Sequence, residues 1–377
     1  MTNRIAEMTK KFIVDISDYK IVKKISSGAY GIVYSVKKEV TNDDFAAKII
    51  DGTKTTKLMI SREIGILSRI KHPTLIKFYG YSLTDFDDND NVTLILQLSK
   101  KGSLADLIKK TRKKSSEANF NSTIRQKILI GIACGMMYLH QHNIIHRDLK
   151  PGNVLLDDNY EPLITDFGTS KIIANQPDNQ TQSIGTSVYM APEVIDGEDY
   201  NMKADVYSFG ILMYEVVTTS VPYAEILASR ISLFKFNEGV LKDGLRPKFK
   251  SIVKKPIREL IEKCWDADPN QRPSFEEIFN RLAFNMEESI YDVFQDDDEE
   301  GKYYLPGVDI DEVHSYIDKV NVETGIRSDD EFAQMKQRIN RLEKKNEKLE
   351  KENQEMKKKI MGLSKTQSSG TIVVKKG

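Results

Sequence analysis

The feature that most constrains this chain is a run of polar residues near its middle. Residues 145–153 read Ile-His-Arg-Asp-Leu-Lys-Pro-Gly-Asn, and residues 166–168, thirteen positions after Asn153, read Asp-Phe-Gly. The alternative is two unrelated polar loops, which would need chance to place His-Arg-Asp, Asn and Asp-Phe-Gly in this order and spacing. The pattern therefore indicates a functional site.

A glycine-containing segment lies between two strand-like runs near the amino terminus. Gly28 and Gly31 put no Cβ in the way of an approaching phosphate group, so main-chain N–H groups can close over it. Alone, this pattern also fits an ordinary hairpin. Lys48 follows on the next strand-like run and Glu63 on a helical run. A lysine on a buried strand needs a counter-charge, so we predict an ion pair between them.

With these motifs in this order and spacing, the chain resembles the eukaryotic protein kinases. The resemblance covers about residues 19–284 and continues through Ala191-Pro192-Glu193. It implies transfer of the γ-phosphate of ATP to a hydroxyl group of a protein substrate, with Mg²⁺ as the metal cofactor.

The resemblance implies a role for each polar residue of the first motif. Phosphoryl transfer passes through a loose transition state, so a kinase mainly positions the reactants and stabilises negative charge. Asp148 is expected to orient the substrate hydroxyl and accept its proton, and Lys150 to steady the γ-phosphate. Asn153 and Asp166 are expected to hold Mg²⁺, which favours hard oxygen ligands. The lysine–glutamate pair completes the catalytic set.

The resemblance also implies where ATP binds. The expected nucleotide contacts come from the glycine-containing loop, the strand of the catalytic lysine, the segment between the lobes and one strand of the larger lobe: Ile25, Ser26, Ser27, Gly28, Ala29, Tyr30, Gly31, Val33, Ala46, Lys48, Gln97, Leu98 and Leu155. Ser26 stands where the family has its first loop glycine. This residue stiffens the loop, but we expect ATP binding to be retained because the other two glycines remain.

The hydrophobic pattern predicts an α+β chain with a small β-rich lobe, a larger, mainly α lobe and a coiled coil after them. The resemblance implies that the two lobes form a bilobal, protein-kinase-like fold. Short strand-like runs dominate residues 19–100, and longer helical patterns dominate residues 102–284. An acidic stretch after residue 284 reads as a solvated linker, and residues 303–330 have scattered apolar groups without a clear period, so a partly ordered connector is expected. The expected organisation is an extension at 1–18, the kinase domain at 19–284, a linker and connector at 285–330, a coiled coil at 331–363 and a disordered tail at 364–377.

Two pairs of motifs bear on which hydroxyl is phosphorylated. Lys150-Pro151 and Gly185-Thr186 resemble the serine/threonine kinases. Residues 205–210, Asp-Val-Tyr-Ser-Phe-Gly, and residues 264–266, Cys-Trp-Asp, resemble the tyrosine-kinase-like branch. We therefore expect a serine/threonine kinase of that branch, with dual specificity as the lesser alternative.

The resemblance further implies two structural contacts in the larger lobe. Glu193 is expected to pair with Arg272, and Asp205 is expected to anchor the catalytic loop.

The loop after Asp-Phe-Gly is a candidate for regulation. Arg147 and Lys171 are two cations that can bind a phosphate group, and such charge-assisted hydrogen bonds order a loop. We predict that phosphorylation at Thr181 or Ser183 activates the enzyme, and Thr186 lies in the same loop. An ordinary, unmodified polar loop remains the alternative.

The last segment has a heptad repeat with a period of 3.5 residues. The positions facing a partner helix are Phe332, Met335, Ile339, Leu342, Asn346, Leu349, Asn353, Met356, Ile360 and Leu363. Asparagines at the first position of a heptad favour two strands in a defined register. We predict a parallel homodimer through residues 331–363. A single solvated helix and a coil with a different chain remain alternatives.

Composition narrows the classes of partner. The chain has 56 basic and 56 acidic residues among 377, so no global charge draws it to nucleic acid or to an anionic membrane. No apolar run approaches the length of a transmembrane segment. The expected partners are proteins with Ser or Thr acceptors, and the expected location is cytoplasmic.

Two other functional classes fit parts of the sequence. A catalytically silent kinase fold acting as a scaffold usually lacks one of the catalytic residues, and all of them are present here, with Ser26 as the only departure. A phosphotransferase acting on small molecules fits less well, because residues 185–193 resemble a platform for a protein substrate.

Overall fold

The computed structural model describes residues 9–28, 31–53, 55–115, 119–172, 187–197, 201–250, 253–284, 295–296, 303–304 and 308–322. These residues form a smaller lobe built on a β-sheet and a larger, mainly helical lobe. The predicted α+β, bilobal kinase fold is confirmed. The predicted coiled coil at 331–363 and the tail at 364–377 lie outside the described residues.

The smaller lobe is a five-stranded antiparallel sheet with one helix. Its elements are β1 (Tyr19–Gly28), β2 (Gly31–Lys38), β3 (Asp44–Ile50), α1 (Lys57–Leu67), β4 (Phe78–Ser82) and β5 (Thr93–Gln97). The strand order is β1-β2-β3-β5-β4. Helix α1 begins where the Thr56 side chain accepts a hydrogen bond from the N–H of Met59. The sheet places β3 at its centre, between β2 and β5.

The residues before β1 cover the far edge of the sheet. The N–H of Val14 donates to the carbonyl of Tyr81 at 3.0 Å, and the ring of Phe12 packs on Phe78 with centroids 5.4 Å apart. An edge strand with unpaired main-chain groups is open to unwanted pairing. The extension therefore satisfies part of the β4 edge and belongs to the folded lobe from residue 9.

The larger lobe is formed around two buried helices. Its helices are α2 (Leu104–Arg112), α3 (Ser122–Gln141), α4 (Pro192–Asp196), α5 (Lys203–Thr218), α6 (Ala224–Ala228), α7 (Leu233–Lys242), α8 (Lys255–Cys264) and α9 (Phe275–Phe284). Its short strands are β6 (Ile144–Ile145), β7 (Val154–Leu156), β8 (Pro162–Ile164) and β9 (Lys171–Ile172). Helices α3 and α5 are apolar on nearly all sides, as helices in the interior of a protein are.

A further helix, α10 (Ile310–Val322), packs on α3 beyond the kinase-like region. Its buried side chains include Val313, Tyr316, Ile317 and Val320, which recur at helical spacing. Residues 303–330 were expected to be a partly ordered connector without a clear period, and the structure has a regular helix within them. Two short strands, β10 (Gln295–Asp296) and β11 (Tyr303–Tyr304), pair before it.

Among the described residues, no helix combines the length and the apolar character needed to cross a bilayer.

Candidate active site

Three charged side chains from both lobes meet at Lys48, near the end of β3. The Nζ of Lys48 lies 2.7 Å from Oε1 of Glu63, on α1, and 3.3 Å from Oδ1 of Asp166, in the larger lobe. The side chain of Glu63 is almost fully buried. The structure thus contains the ion pair that the sequence predicts and adds the aspartate of Asp-Phe-Gly to it.

The charges of Lys48 and Asp166 stabilise each other. Burial by itself would lower the pKa of Lys48, but the two neighbouring carboxylates raise it above its usual range. The Lys48 ammonium in turn lowers the pKa of Asp166. Both groups are therefore ionised at neutral pH, which the roles predicted for them require.

Backbone conformation sets the direction of the Asp166 carboxylate. Asp166 has φ 70°, in the left-handed region that few residues other than glycine adopt. The next residue, Phe167, is fully buried, and its ring lies edge-on to His146 with centroids 5.3 Å apart. A Cβ on Gly168 would lie 3.3 Å from Oε2 of Glu63, so a glycine leaves room for the ion pair.

The catalytic loop gathers two predicted groups, Lys150 and Asn153, around the carboxylate of Asp148. Oδ2 of Asp148 accepts hydrogen bonds from Nζ of Lys150 at 2.6 Å and from Nδ2 of Asn153 at 2.8 Å. Nδ2 of Asn153 also donates to the main-chain carbonyl of Asp148 at 2.8 Å. Within the described part of the chain, Oδ1 of Asp148 is buried without a hydrogen-bond partner. This oxygen is therefore available as a hydrogen-bond acceptor, which the role predicted for Asp148 requires.

The donor set fits Mg²⁺. Because the amide nitrogen of Asn153 is bound to Asp148, its side-chain oxygen is left for a metal ion. Asp166 binds Lys48 through Oδ1 and keeps a second carboxylate oxygen, Oδ2. An amide oxygen and a carboxylate oxygen are hard ligands of the kind that Mg²⁺ prefers.

A buried aspartate on α5 forms hydrogen bonds with the main chain of the catalytic loop. Asp205 accepts hydrogen bonds from the main-chain N–H groups of His146 and Arg147, each at 2.8 Å, and lies 2.9 Å from Nε2 of His140. Arg147 has φ 71°, so the loop turns in an uncommon conformation that these bonds stabilise. The expectation that Asp205 anchors this loop is confirmed.

The predicted nucleotide residues lie along the junction of the lobes. Val33 pairs with Lys48 across β2 and β3, and Gln97 ends β5 beside Phe45. After β5, Oγ of Ser99 donates to the carbonyl of Leu156 at 2.5 Å, which ties the segment that contains Leu98 to β7, the strand that contains Leu155.

The glycine-containing loop is described only in part. Gly31 has φ 145°, and a Cβ there would collide with the carbonyl oxygen of Ile49, so only glycine fits. Ile25 is exposed on β1, as are Ser26 and Ser27. Ala29 and Tyr30 lie outside the described residues.

The predicted regulatory residues are also described only in part. Nη1 of Arg147 donates to the carbonyl of Thr169 at 3.4 Å. The main chain of Lys171 pairs with Ile145 across β9 and β6. The three hydroxyl residues proposed for regulation, Thr181, Ser183 and Thr186, lie outside the described residues.

The second structural expectation, the pair of Glu193 and Arg272, is also confirmed. The two parallel contacts are 2.6 Å and 2.9 Å long, and the Arg272 side chain is fully buried. Nε of Arg272 also donates to the carbonyl of Asp266 at 2.8 Å. A buried pair with this geometry is costly to break, because either partner alone would be an unpaired buried charge.

Sequence reasoning missed a further ionic contact beside the candidate substrate platform. Oε2 of Glu215 accepts a hydrogen bond from the hydroxyl of Tyr189 at 2.6 Å, and Oε1 lies 2.5 Å from Nη2 of Arg112. The available signal was a single glutamate in the otherwise apolar carboxyl-terminal half of α5.

Comparison with known proteins supports the same assignment. The protein kinase domain family matches residues 19–284. Serine/threonine-protein kinase STY17 of Arabidopsis thaliana is 31% identical over 277 residues, which are 73% of this chain and 46% of that protein. Dual specificity protein kinase shkB of Dictyostelium discoideum is 33% identical over 286 residues, which are 73% of this chain and 42% of that protein. The chain spans about half or less of the length of these curated relatives.

The family match covers most of the chain, and it contains the complete cluster of lysine, glutamate, two aspartates and asparagine described above. This chain belongs to the protein kinase family.

Proposed function

We propose that this chain is an ATP-dependent serine/threonine protein kinase. The observation that carries the proposal is that Lys48 bridges Glu63 and Asp166 while Asp148 keeps one buried oxygen free of hydrogen bonds among the described residues. A phosphate-binding cation and a proton acceptor are thus held in place before substrates bind. Preorganisation of this kind is what phosphoryl transfer requires.

Each residue acts through the atom that the geometry leaves available. Oδ1 of Asp148 accepts the proton of the protein hydroxyl group. Lys150, fixed against Oδ2 of the same carboxylate, presents its ammonium to the phosphoryl group in transfer. Lys48 binds the phosphates of ATP from the side of β3. Mg²⁺ held by Asn153 and Asp166 would neutralise charge that develops on the phosphate oxygens.

The proposed acceptor is serine or threonine. Lys150-Pro151 and Gly185-Thr186 support this choice, and the relatives described above carry serine/threonine or dual specificity in their names. Placement in the tyrosine-kinase-like branch rests on residues 205–210 and 264–266.

The test is transfer of labelled phosphate from Mg-ATP to the protein itself and to a generic substrate, with identification of the labelled amino acid. Asp148→Asn should lower the rate by about 10²- to 10⁴-fold, because the proton acceptor is lost. Asp158→Asn is the matched control: this exposed aspartate pairs only weakly with Lys100, at 3.5 Å. Asp166→Ala should abolish transfer.

The alternatives give different results in this assay. Binding of ATP by the wild type without transfer would contradict the proposal and favour the catalytically silent scaffold. Label on tyrosine as well as on serine or threonine would indicate dual specificity. Turnover of a small alcohol without any protein acceptor would indicate the small-molecule phosphotransferase.

Phosphorylation of Thr181 or Ser183 activates the enzyme in this proposal, with Thr186 in the same loop. Its support is that Arg147 lies beside Asp148 and already contacts the main chain at Thr169. A loop phosphate gains charge-assisted hydrogen bonds from such a cation. Replacing both Thr181 and Ser183 by alanine should lower activity to that of the phosphatase-treated wild type. Unchanged activity would leave the unmodified loop as the correct interpretation.

Residues 331–363 form a parallel two-stranded coiled coil in this proposal, and the support is the heptad pattern with Asn346 and Asn353. Sedimentation equilibrium should give a dimer for the full chain and a monomer after deletion of residues 331–377. A tethered pair raises the local concentration of each kinase for the other, so the deletion should also slow autophosphorylation. A monomeric full chain would favour the single helix, or a coil that needs another partner.

The remaining predictions about partners and location stay predictions. The proposed substrates are proteins with Ser or Thr acceptors, nucleic acid is not expected as a partner, and the cytoplasm is the expected location.

A further inference from the structure

A deep groove lies on the larger lobe, between the end of α2, the start of α3, the end of α5 and helix α6. Its volume is about 900 Å³. Six of the residues that line it are basic and one, Glu225, is acidic; the basic residues are Arg112, Lys114, Arg125, Arg246, Lys248 and Lys250. We call this feature the basic groove. The active-site residues described above do not line it.

The arginines in the groove are fixed in position by main-chain groups. Nη1 of Arg125 donates to the carbonyl of Val216 at 2.7 Å, and Nε of Arg246 donates to the carbonyl of Trp265 at 2.8 Å. These bonds fix the direction of both guanidinium groups. Fixed cations lose little entropy when an anion binds, which favours affinity.

The positive charge is a local feature of this surface. The whole chain has no net charge. The last turn of α2 also carries lysines that line a second depression, of about 450 Å³, together with Lys100 and Lys101. Lysines at the end of one helix are common because the helix dipole favours them. Here Lys248 and Lys250 come from a different segment, so one helix end does not account for the charge.

The basic groove is linked to the candidate substrate platform by two side-chain contacts. Tyr189, in the segment from Gly185 to Glu193, donates to Glu215, and Glu215 binds Arg112 at the groove wall. Because Arg112 also lines the groove, a protein chain that binds over Tyr189 lies near the groove wall.

We propose that the basic groove binds an acidic segment of the protein substrate, apart from the residue that is phosphorylated. The inference rests on the proposed kinase function and adds a substrate class to it. The groove walls include Tyr214, Tyr223 and Leu245, so the segment combines acidic with apolar side chains. Apolar and aromatic walls suit a peptide better than a nucleic acid backbone, which needs mainly phosphate contacts.

Direct binding tests the groove separately from catalysis. The probe is a fluorescein-labelled twelve-residue peptide without hydroxyl residues that alternates Glu or Asp with Leu or Phe; its control has Gln and Asn in place of the acids. Fluorescence anisotropy with the full chain should give at least about tenfold tighter binding for the acidic peptide, and added salt should reduce the difference.

Charge reversal assigns the binding to the groove. Lys248→Glu with Lys250→Glu should abolish the preference for the acidic peptide. Lys250 pairs with Glu225 of the groove at 2.9 Å. Lys242→Glu with Lys255→Glu is the matched control, because it changes the net charge equally at exposed lysines that pair with glutamates outside the groove. Equal losses in both double variants would overturn the proposal. Equal affinity for a single-stranded oligonucleotide of the same charge would also overturn it.

Kinetics separates this inference from the proposed function. Two substrate peptides share one serine-containing core and differ only in an acidic or neutral extension. The acidic extension should lower KM about tenfold at unchanged kcat in the wild type, and not in Lys248→Glu with Lys250→Glu. Phosphorylation of both peptides at equal KM would support the proposed kinase function and overturn the proposal that the basic groove binds an acidic segment. Binding without phosphorylation of either peptide would overturn the proposed function and the substrate assignment with it.

The chain's own acidic run, residues 296–300, is the competing occupant. A variant with these residues changed to Asn and Gln tests it. The proposal is overturned if the acidic peptide binds about tenfold tighter than its neutral control in this variant but not in the wild type. That result would mean that the chain's own acidic run fills the groove.

Discussion

Replacement of Tyr316 tests whether α10 is an integral part of the kinase fold. The Tyr316 ring is buried on α3, where the Nζ of Lys127 lies 5.5 Å from its centroid. Its hydroxyl is buried and has no hydrogen-bond partner in the described part of the chain, and burial raises the pKa of this group well above its usual value. The ring therefore stabilises the contact, whereas the hydroxyl destabilises it.

The magnitude follows from these two contributions. Truncation of a buried aromatic ring to alanine costs about 3–5 kcal/mol, and removal of an unsatisfied hydroxyl returns about 1 kcal/mol. Tyr316→Ala should therefore lower the unfolding free energy by about 3 kcal/mol, and Tyr316→Phe should raise it by about 1 kcal/mol. A domain of this size changes its Tm by about 2–4 °C per kcal/mol, so the alanine variant should melt about 6–12 °C lower.

Thermal unfolding of the full chain, followed by circular dichroism, measures both variants. Helix α10 can also detach alone, which would limit the loss to the free energy of its docking. Hydrogen exchange of the α10 amides detects that event directly. An alanine variant with unchanged Tm and unchanged exchange, or equal melting of the Ala and Phe variants, would refute the reasoning.

Three further predictions follow from buried charged or polar groups. Asp205→Asn weakens the acceptor for two catalytic-loop amides and should lower kcat about a hundredfold with little change in KM for ATP, measured by steady-state kinetics. Arg272→Ala leaves Glu193 as an unpaired buried charge and should cost about 3–5 kcal/mol in urea unfolding. Burial lowers the pKa of His72 from 6.5 to about 4, so the unfolded chain binds more protons between these values; stability should fall by about 3 kcal/mol as pH drops through this window, and His72→Asn should remove that dependence.

Each of the three has a result that contradicts it. Wild-type kcat in Asp205→Asn would mean that the loop keeps its conformation without the charge. Equal stability of Arg272→Ala and the wild type would mean that the pair is open to water. The same pH dependence in His72→Asn and the wild type would assign the acid sensitivity to other groups.

The elements predicted from local pattern are largely those in the structure. Residues 19–100, predicted to be rich in strands, contain β1 to β5, and residues 102–284, predicted to be mainly helical, contain α2 to α9. Strand β4, Phe78–Ser82, has a weak local signal because Gly80 interrupts its apolar pattern. A Cβ at Gly80 would lie 2.5 Å from Cγ1 of Val14, so the glycine is explained by the docked extension, a contact between distant segments.

Helix α10 was missed for a different reason. Its buried side chains, Val313, Tyr316, Ile317 and Val320, have the i, i+3, i+4, i+7 spacing of an amphipathic helix. The pattern is present but short, and the surrounding acidic sequence reads as a linker. The apolar stripe packs on α3, where Lys127 also pairs with Glu312 at 2.8 Å, and this contact can be found only from the fold.

The catalytic residues could be predicted because they are close together in the sequence and carry unusual chemistry. Asp148, Lys150 and Asn153 lie within one loop, and their roles follow from residue type once the motif is recognised. The contact of Asp205 with that loop could also be predicted, because the family resemblance alone implies it.

The basic groove had no such signal, because its charges come from separate parts of the chain. Arg112 lies at the end of α2, Arg125 near the start of α3 and Lys248 after α7, so no single segment of the sequence shows the cluster. Only the packing of α2 and α3 against the end of α5 brings them to one cavity. Chemistry shared by neighbouring residues can thus be predicted from sequence. Substrate selection by residues distant in sequence depends on tertiary structure, and this is why the Lys248→Glu and Lys250→Glu variant is more informative about substrates than any change within the catalytic loop.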